Sequence, residues 1–122
     1  MAVKSYRDLK VWQKAMDLVV ESYRLARFLP RTETFGLSSQ IQRAAVSIPA
    51  NIAEGHGREH LGDYVHHLSV ANGSLMELQT HLLICGRLSL LRADEITPAL
   101  SLTEELSRML AGLTKSLKNR PA

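Results

Sequence analysis

The sequence has little of what marks secreted or membrane proteins. Its single cysteine, Cys85, cannot form an internal disulfide, and it falls on an apolar helical face, which favours a buried, inert thiol. No apolar run approaches the length of a membrane span. The N-terminal residues 1–10 have no hydrophobic stretch after their charges, so no secretory signal is indicated. We therefore expect a cytoplasmic protein that does not contact a membrane.

Patterns of catalysis and metal binding are equally scarce. No strand is evident, so no glycine-rich loop follows one, and spacing alone nominates no serine, histidine and aspartate arrangement. His56 and His60 have the i,i+4 spacing of a helical metal pair, but Gly55 and Gly57 bracket His56 and predict a turn there. We expect no enzymatic activity, no cofactor, no metal and no small-molecule substrate.

Length and composition indicate one folded domain. The chain has 122 residues and a mass of 13.6 kDa, enough for one hydrophobic core and too short for two. Its 45% hydrophobic and 22% charged residues are typical of globular proteins and argue against disorder. We expect a single domain over residues 1–122.

The net charge of +3 permits contact with nucleic acid without requiring it. Both ends of the chain are basic. Four side chains near the N-terminus are our candidate nucleic-acid contacts: Lys4, Arg7, Lys10 and Lys14. A second cluster follows the last acidic residue: Arg108, Lys115, Lys118 and Arg120. Cations near a helix C-terminus also complement the helix dipole, which is the simpler interpretation of the second cluster.

Apolar residues at three- and four-residue spacing predict four helices. They cover about residues 8–29, 35–55, 60–88 and 93–117. The fold class is therefore all-α, an antiparallel up-down-up-down four-helix bundle. The third helix has the most regular pattern, although Gly73 and Ser74 interrupt it, which suggests a close neighbour or a polar group there.

Local signals predict where the helices begin and end. Asp8 is a candidate N-cap of the first helix, which Pro30 would close. Thr32 or Thr34 is available to cap the second helix, and the glycines around His56 would end it in a left-handed conformation.

The first helix is apolar over more than half of its circumference. One stripe contains Leu9, Trp12, Met16, Val19, Tyr23 and Ala26, and an adjoining one contains Val11, Ala15, Leu18, Leu25 and Leu29. One core does not need so wide a face, so the helix either packs between several neighbours or leaves a patch for another subunit. We favour the second alternative and expect an oligomer.

The second helix presents three faces. Its core stripe contains Leu37, Ile41, Ala44, Ile48, Ile52 and Gly55. Its polar face contains Gln40, Arg43, Ser47, Asn51, Glu54 and Arg58. We expect Ser47, Asn51, Glu54 and Arg58 to form a structural network that joins this helix to its neighbours. Its small face, Ser39, Val46, Ala50 and Ala53, would let another helix come close. Pro49 predicts a kink, because it lacks an N–H and its ring collides with the carbonyl of Ala45.

The run SQIQRAAVSIPANIAEG over residues 39–55, followed by Gly57 and Arg58, resembles the signature of a bacterial four-helix-bundle family, the 23S rRNA intervening-sequence proteins. LKVWQKA at residues 9–15 and ANGSLMEL at residues 71–78 extend the resemblance over about residues 6–90. Its structural signature here is Arg43, Ser47, Pro49, Asn51, Glu54, Gly55 and Arg58. The family is similar in fold to the accessory protein of diversity-generating retroelements, and such relatives form five-fold rings.

The resemblance implies a noncatalytic scaffold, a homopentamer, with RNA, DNA or a nucleic-acid enzyme as partner. The residues themselves support only some oligomer. The alternative is a protein-assembly adaptor with no nucleic-acid role. The two differ in whether the N-terminal basic residues converge with arginines of neighbouring subunits.

Overall fold

The computed structural model describes residues 4–120, which fold into four α-helices. They are α1 (Lys10–Ala26), α2 (Leu37–His56), α3 (Leu61–Arg87) and α4 (Ala93–Lys118). Short 3-10 turns at Tyr6–Asp8 and Arg31–Glu33 precede α1 and α2, and this part of the chain contains no strand. The predicted all-α four-helix bundle is confirmed. Residues 1–3 and 121–122 of the predicted domain lie outside the described residues.

Each helix packs against its neighbours along the chain, and α4 closes the bundle against α1. The contact between α2 and α3 is the most extensive. Because consecutive helices run in opposite directions, the starts of α1 and α3 meet the ends of α2 and α4. We call this end of the bundle the basic end, and we call the opposite end the far end.

The core consists of the periodic apolar residues. In α3 the pattern buries Leu68, Ala71, Leu75, Leu78, Leu82 and Cys85, which pack against the core stripe of α2. Ser74, on the same helix, is also buried and makes a hydrogen bond, whereas a Cβ on Gly73 would meet nothing within 4 Å. A polar group therefore explains Ser74, and the expected close approach at Gly73 is wrong.

The first helix begins and ends differently from the sequence-based prediction. Ser5 caps the 3-10 turn, and Asp8 accepts hydrogen bonds from the backbone N–H groups of Lys4 and Ser5, both at 3.2 Å. Leu9 is extended and separates that turn from α1, so Asp8 does not cap α1. The helix ends at Ala26, before Pro30 is reached.

The second helix also departs from prediction at both ends. Neither threonine caps it, and the carboxylate of Glu33 accepts from the Leu37 N–H at 3.2 Å instead. At the other end Gly57 has φ −80°, so no left-handed glycine is present. The one positive φ of a non-glycine residue among residues 4–120 is that of Ser89, at 57°, in the turn between α3 and α4. The α2 helix continues through the buried Pro49, and the kink remains a prediction.

The two apolar stripes of α1 have different environments. Val11, Ala15, Leu18, Leu25 and Leu29 are buried in the core. On the other stripe, Met16 is 41% and Tyr23 38% exposed, whereas Leu9, Trp12 and Val19 are partly buried and Ala26 is buried. One bundle therefore covers the first stripe and leaves Met16 and Tyr23 of the second exposed.

Candidate functional site: a polar network, a basic end and an apolar strip

The polar face of α2 is joined to α3 by a chain of hydrogen bonds. Ser74 Oγ donates to Ser47 Oγ at 2.8 Å, and Asn51 Nδ2 donates to the Ser47 carbonyl at 2.9 Å. Asn51 Oδ1 lies 3.0 Å from His67 Nδ1. Because that oxygen accepts, His67 carries its proton on Nδ1. The sequence did not predict that Ser74 and His67 are partners of the α2 polar face, since no i,i+4 pattern links residues on different helices.

Glu54 and Arg58 form the outer part of this chain. Arg58 Nη2 donates to Glu54 Oε1 at 2.9 Å, and the second carboxylate oxygen lies 3.9 Å from His67 Nδ1. Both members of the pair are about half exposed, at 54% and 49%. The Glu54–Arg58 pair should therefore add little to stability, because exposed ion pairs contribute little.

Three other signature residues lie outside this side-chain network. Arg43 is exposed and makes no side-chain hydrogen bond or ion pair with residues 4–120, and it lies beside open grooves on both sides of α2. Pro49 is buried in the core. Gly55 is buried where α2 meets α3, and a Cβ there would lie 2.8 Å from His67 Cβ.

Substituting Asn51 and Glu54 by alanine should have unequal effects. Asn51→Ala leaves Ser47 and His67 without their partner and should lower the free energy of unfolding by about 1–3 kcal/mol. Glu54→Ala should cost less than about 1 kcal/mol. Chemical denaturation of both variants measures the difference, and equal losses would contradict a network centred on Asn51.

The topology brings both basic ends of the chain together. Eight of the 15 Lys and Arg residues lie within about one turn of the basic end or beyond it, against four of the 12 acidic residues. The basic residues are Lys4, Arg7, Lys10, Lys14, Arg58, Lys115, Lys118 and Arg120. The acidic residues are Asp8, Glu54, Glu59 and Asp63. The remainder of the chain has slightly more acidic than basic residues, so the net positive charge belongs to this end.

The four N-terminal candidates are not equivalent. Lys4, Arg7 and Lys10 are exposed, and the Arg7 guanidinium lies 5.0 Å from the centre of the Tyr6 ring. Lys14 is one turn further along α1 and forms an ion pair with Glu105 of α4 at 3.2 Å. Its charge is therefore partly neutralised, which the sequence could not indicate for residues 91 positions apart.

A groove of about 580 Å³ opens at the basic end. It is lined by residues from the N-terminal segment, the turn between α2 and α3, and the end of α4, among them Leu9, His56, Arg58, His60 and Arg120. Tyr64 also lines it. Burial raises the pKa of the Tyr64 phenol, and the charge of Arg120 lowers it to a smaller extent. Arg58 and Arg120, which sequence reasoning did not connect, therefore meet in one place.

The remaining chemical candidates form no cluster. Within residues 4–120, no three His, Cys, Asp or Glu side chains are placed to hold a metal ion. Cys85 is fully buried, and burial, followed by the negative charge of Glu33, raises the pKa of its thiol. A raised pKa disfavours the reactive thiolate.

An apolar strip lies beside these polar features, on the surface shared by α1 and α2. Tyr23 of α1 and Val46 of α2 line one shallow groove, whose other lining residues, Ser39, Gln42, Arg43 and Ser47, are polar, and Val46 is 43% exposed. The small residues Ser39, Ala50 and Ala53 continue the α2 side, and Met16 continues the α1 side. Met16, Tyr23, Val46 and Ala50 are exposed, whereas Ser39 and Ala53 are partly buried. We call this surface the α1–α2 strip.

Comparison with models of known protein families identifies the family of this chain. The model of the family described as 23S rRNA-intervening sequence protein matches residues 7–112, which include all four helices except the end of α4. The chain belongs to this family. The predicted resemblance is therefore confirmed, and the match extends beyond the 6–90 segment on which it rested. Comparison with curated proteins finds no match.

Among solved structures, the chain is similar to a protein of unknown function from the S23 ribosomal protein family of Bacteroides thetaiotaomicron VPI-5482. The identity is 24%, the TM-score is 0.81, and the alignment covers 86% of this chain and 98% of that one. At this identity the similarity shows that the two chains share a fold. None of the helices described for residues 4–120 is long and apolar enough to cross a membrane.

Proposed function

We propose that this protein is a noncatalytic oligomeric scaffold whose assembled basic ends contact RNA or DNA. The observation that carries the proposal is the α1–α2 strip. Exposed apolar patches of this kind, combining large and small side chains, are typical of surfaces that another subunit covers. A second copy could place its large α1 side chains against the small residues of α2. When only the α1 side of one copy faces the α2 side of the next, the contact is not reciprocal and its repetition can close a ring, whereas a reciprocal contact of the two strips would give a two-fold dimer.

The number of subunits rests on the family resemblance, which implies five. A ring repeats each basic end once per subunit, so weak contacts to one strand gain from effective concentration. This matters because a single chain of net charge +3 would bind polyanions weakly. Nucleic-acid contact is supported by the concentration of eight Lys and Arg residues at the basic end.

Binding of this kind should depend strongly on salt and little on sequence. Contacts to phosphates release condensed counterions, so affinity should fall steeply between low and physiological salt. Replacing Arg7 and Lys10 by glutamine should weaken binding at low salt by several-fold while the melting temperature stays unchanged, because both residues are exposed. Lys14→Gln should have a smaller effect, since Glu105 already pairs with that side chain.

Fluorescence anisotropy with a short labelled RNA and a DNA duplex, across a salt series, measures these effects. If a preparation shown to be oligomeric bound neither probe at low salt, the nucleic-acid part of the proposal would be wrong. The assembly part of the proposal would remain.

The alternative, a protein-assembly adaptor with no nucleic-acid role, is favoured by one feature of the far end. Phe35 is 97%, Leu88 58% and Phe28 56% exposed, and all three lie in or beside the connections at that end. Aromatic residues exposed to this degree are enriched in protein interfaces. If the oligomer binds no nucleic acid, we propose that the far end recruits a protein partner, and Phe35→Ser should weaken that contact without loss of stability.

A further inference from the structure

A groove of about 620 Å³ lies between α3 and the last turns of α4, beside the basic end. Its base is apolar and includes the buried Leu68 and Leu110. Asn72 and Ser107 lie along it, and Lys115 and Lys118 lie at its solvent side. A groove of this volume is in the range that holds a small molecule or one nucleotide.

The charges and hydrogen bonds of the groove select its ligand. No Asp or Glu lines it, and neither lysine forms an ion pair with any of residues 4–120. Ser107 Oγ donates to Asn72 Oδ1 at 3.1 Å. That bond orients the Asn72 amide, and its Nδ2 donates to no other group among the described residues. The groove therefore offers an apolar surface, an oriented amide donor and two available cations.

We propose that this groove holds a nucleotide unit of a single-stranded nucleic acid. An unpaired base would lie over the apolar surface with its edge near the Asn72 amide, and the lysines would contact the adjoining phosphates. This inference rests on the proposed nucleic-acid function and adds a site and a strand state to it. A paired base cannot leave its stack to enter the groove without a cost, so the protein should prefer a single strand to a duplex.

Two variants test the groove separately from the general charge of the protein. Ala111 lines the groove and is exposed, so Ala111→Phe fills the space without changing any charge. The double variant Lys115→Gln, Lys118→Gln removes the cations. Arg27→Gln with Arg31→Gln is its matched control, because it removes the same charge at the far end from exposed residues. Circular dichroism and solution mass establish that each variant keeps the wild-type fold and assembly.

Fluorescence anisotropy with a labelled 12-nucleotide RNA and a duplex of the same sequence measures the affinity of each variant for the single strand and for the duplex. We expect Ala111→Phe to weaken single-strand binding by about tenfold and duplex binding by less than about twofold. The double lysine variant should weaken both and reduce the salt dependence by about one unit of slope per lysine, whereas the arginine control should weaken neither by more than about twofold.

The outcomes separate this inference from the proposed function. If strand and duplex bound equally and Ala111→Phe had no effect, the groove would not be a nucleotide site, and nucleic-acid binding elsewhere on the protein would still stand. Failure of the wild-type oligomer to bind either probe would overturn both. If free AMP displaced the RNA at concentrations near the strand's own Kd, the groove would be a site for a free nucleotide, and the strand proposal would be wrong.

Discussion

Replacing Gly55 by alanine is expected to destabilise the protein by about 1–3 kcal/mol, although the same change stabilises most helices. A Cβ at this position would lie 2.8 Å from His67 Cβ and 3.2 Å from the Tyr64 carbonyl oxygen. Neither atom is the end of a flexible side chain, so α3 would have to move away from α2. That contact is the most extensive in the bundle, and it includes the Asn51 network.

Gly73→Ala is the matched control for this prediction. Gly73 is also inside a helix, but a Cβ there would meet nothing within 4 Å. The control should stabilise the protein by about 0.5–1 kcal/mol, since only the helical preference of alanine is at work. Thermal and urea denaturation measure both changes. The two substitutions are expected to change the free energy of unfolding in opposite directions. Stabilisation by both would contradict the close contact between α2 and α3 at Gly55.

Val46→Glu is expected to prevent the proposed assembly and to leave a folded monomer. Val46 lies in the α1–α2 strip and is 43% exposed in the single chain, so a glutamate there costs the isolated bundle little. In an assembled interface the same carboxylate would be taken out of water at every contact, and Arg43, which lines the same groove, would offset only part of that cost. Solution mass and circular dichroism should therefore show loss of assembly with the helical content retained.

The control for this change is Val70→Glu, on the outer surface of α3. Val70 is 38% exposed, so the same substitution is made at similar exposure outside the strip. The control should keep the wild-type mass. If Val70→Glu dissociated the protein and Val46→Glu did not, the interface would involve α3 and the strip would have another occupant.

The bundle could be predicted from the sequence because its signal is periodic. Apolar residues three and four positions apart define a buried face whatever the neighbouring helix is, and the buried residues of α3 follow that pattern. The helix ends were harder to predict because capping depends on the local path of the chain. Asp8 has the right chemistry for a cap, but an extended Leu9 separates it from α1.

Only part of the candidate site could be predicted from the sequence. The shared face of Ser47, Asn51 and Glu54 follows from helical spacing, but their partners Ser74 and His67 belong to another helix, and register between helices is not encoded in spacing. The pairing of Lys14 with Glu105 could not be predicted for the same reason, because these residues belong to different helices. The meeting of the two basic chain ends could have been predicted, because an even number of antiparallel helices returns the C-terminus to the end where the chain began.

Assembly into an oligomer is the central claim, and the solution mass of the wild-type protein tests it most directly. Size-exclusion chromatography with multi-angle light scattering at micromolar concentration should give a mass several times that of the 13.6 kDa chain. Five subunits, as the family resemblance implies, correspond to about 68 kDa. A dimer or tetramer would contradict the five-fold ring, and a monomer of 13.6 kDa would contradict the scaffold itself.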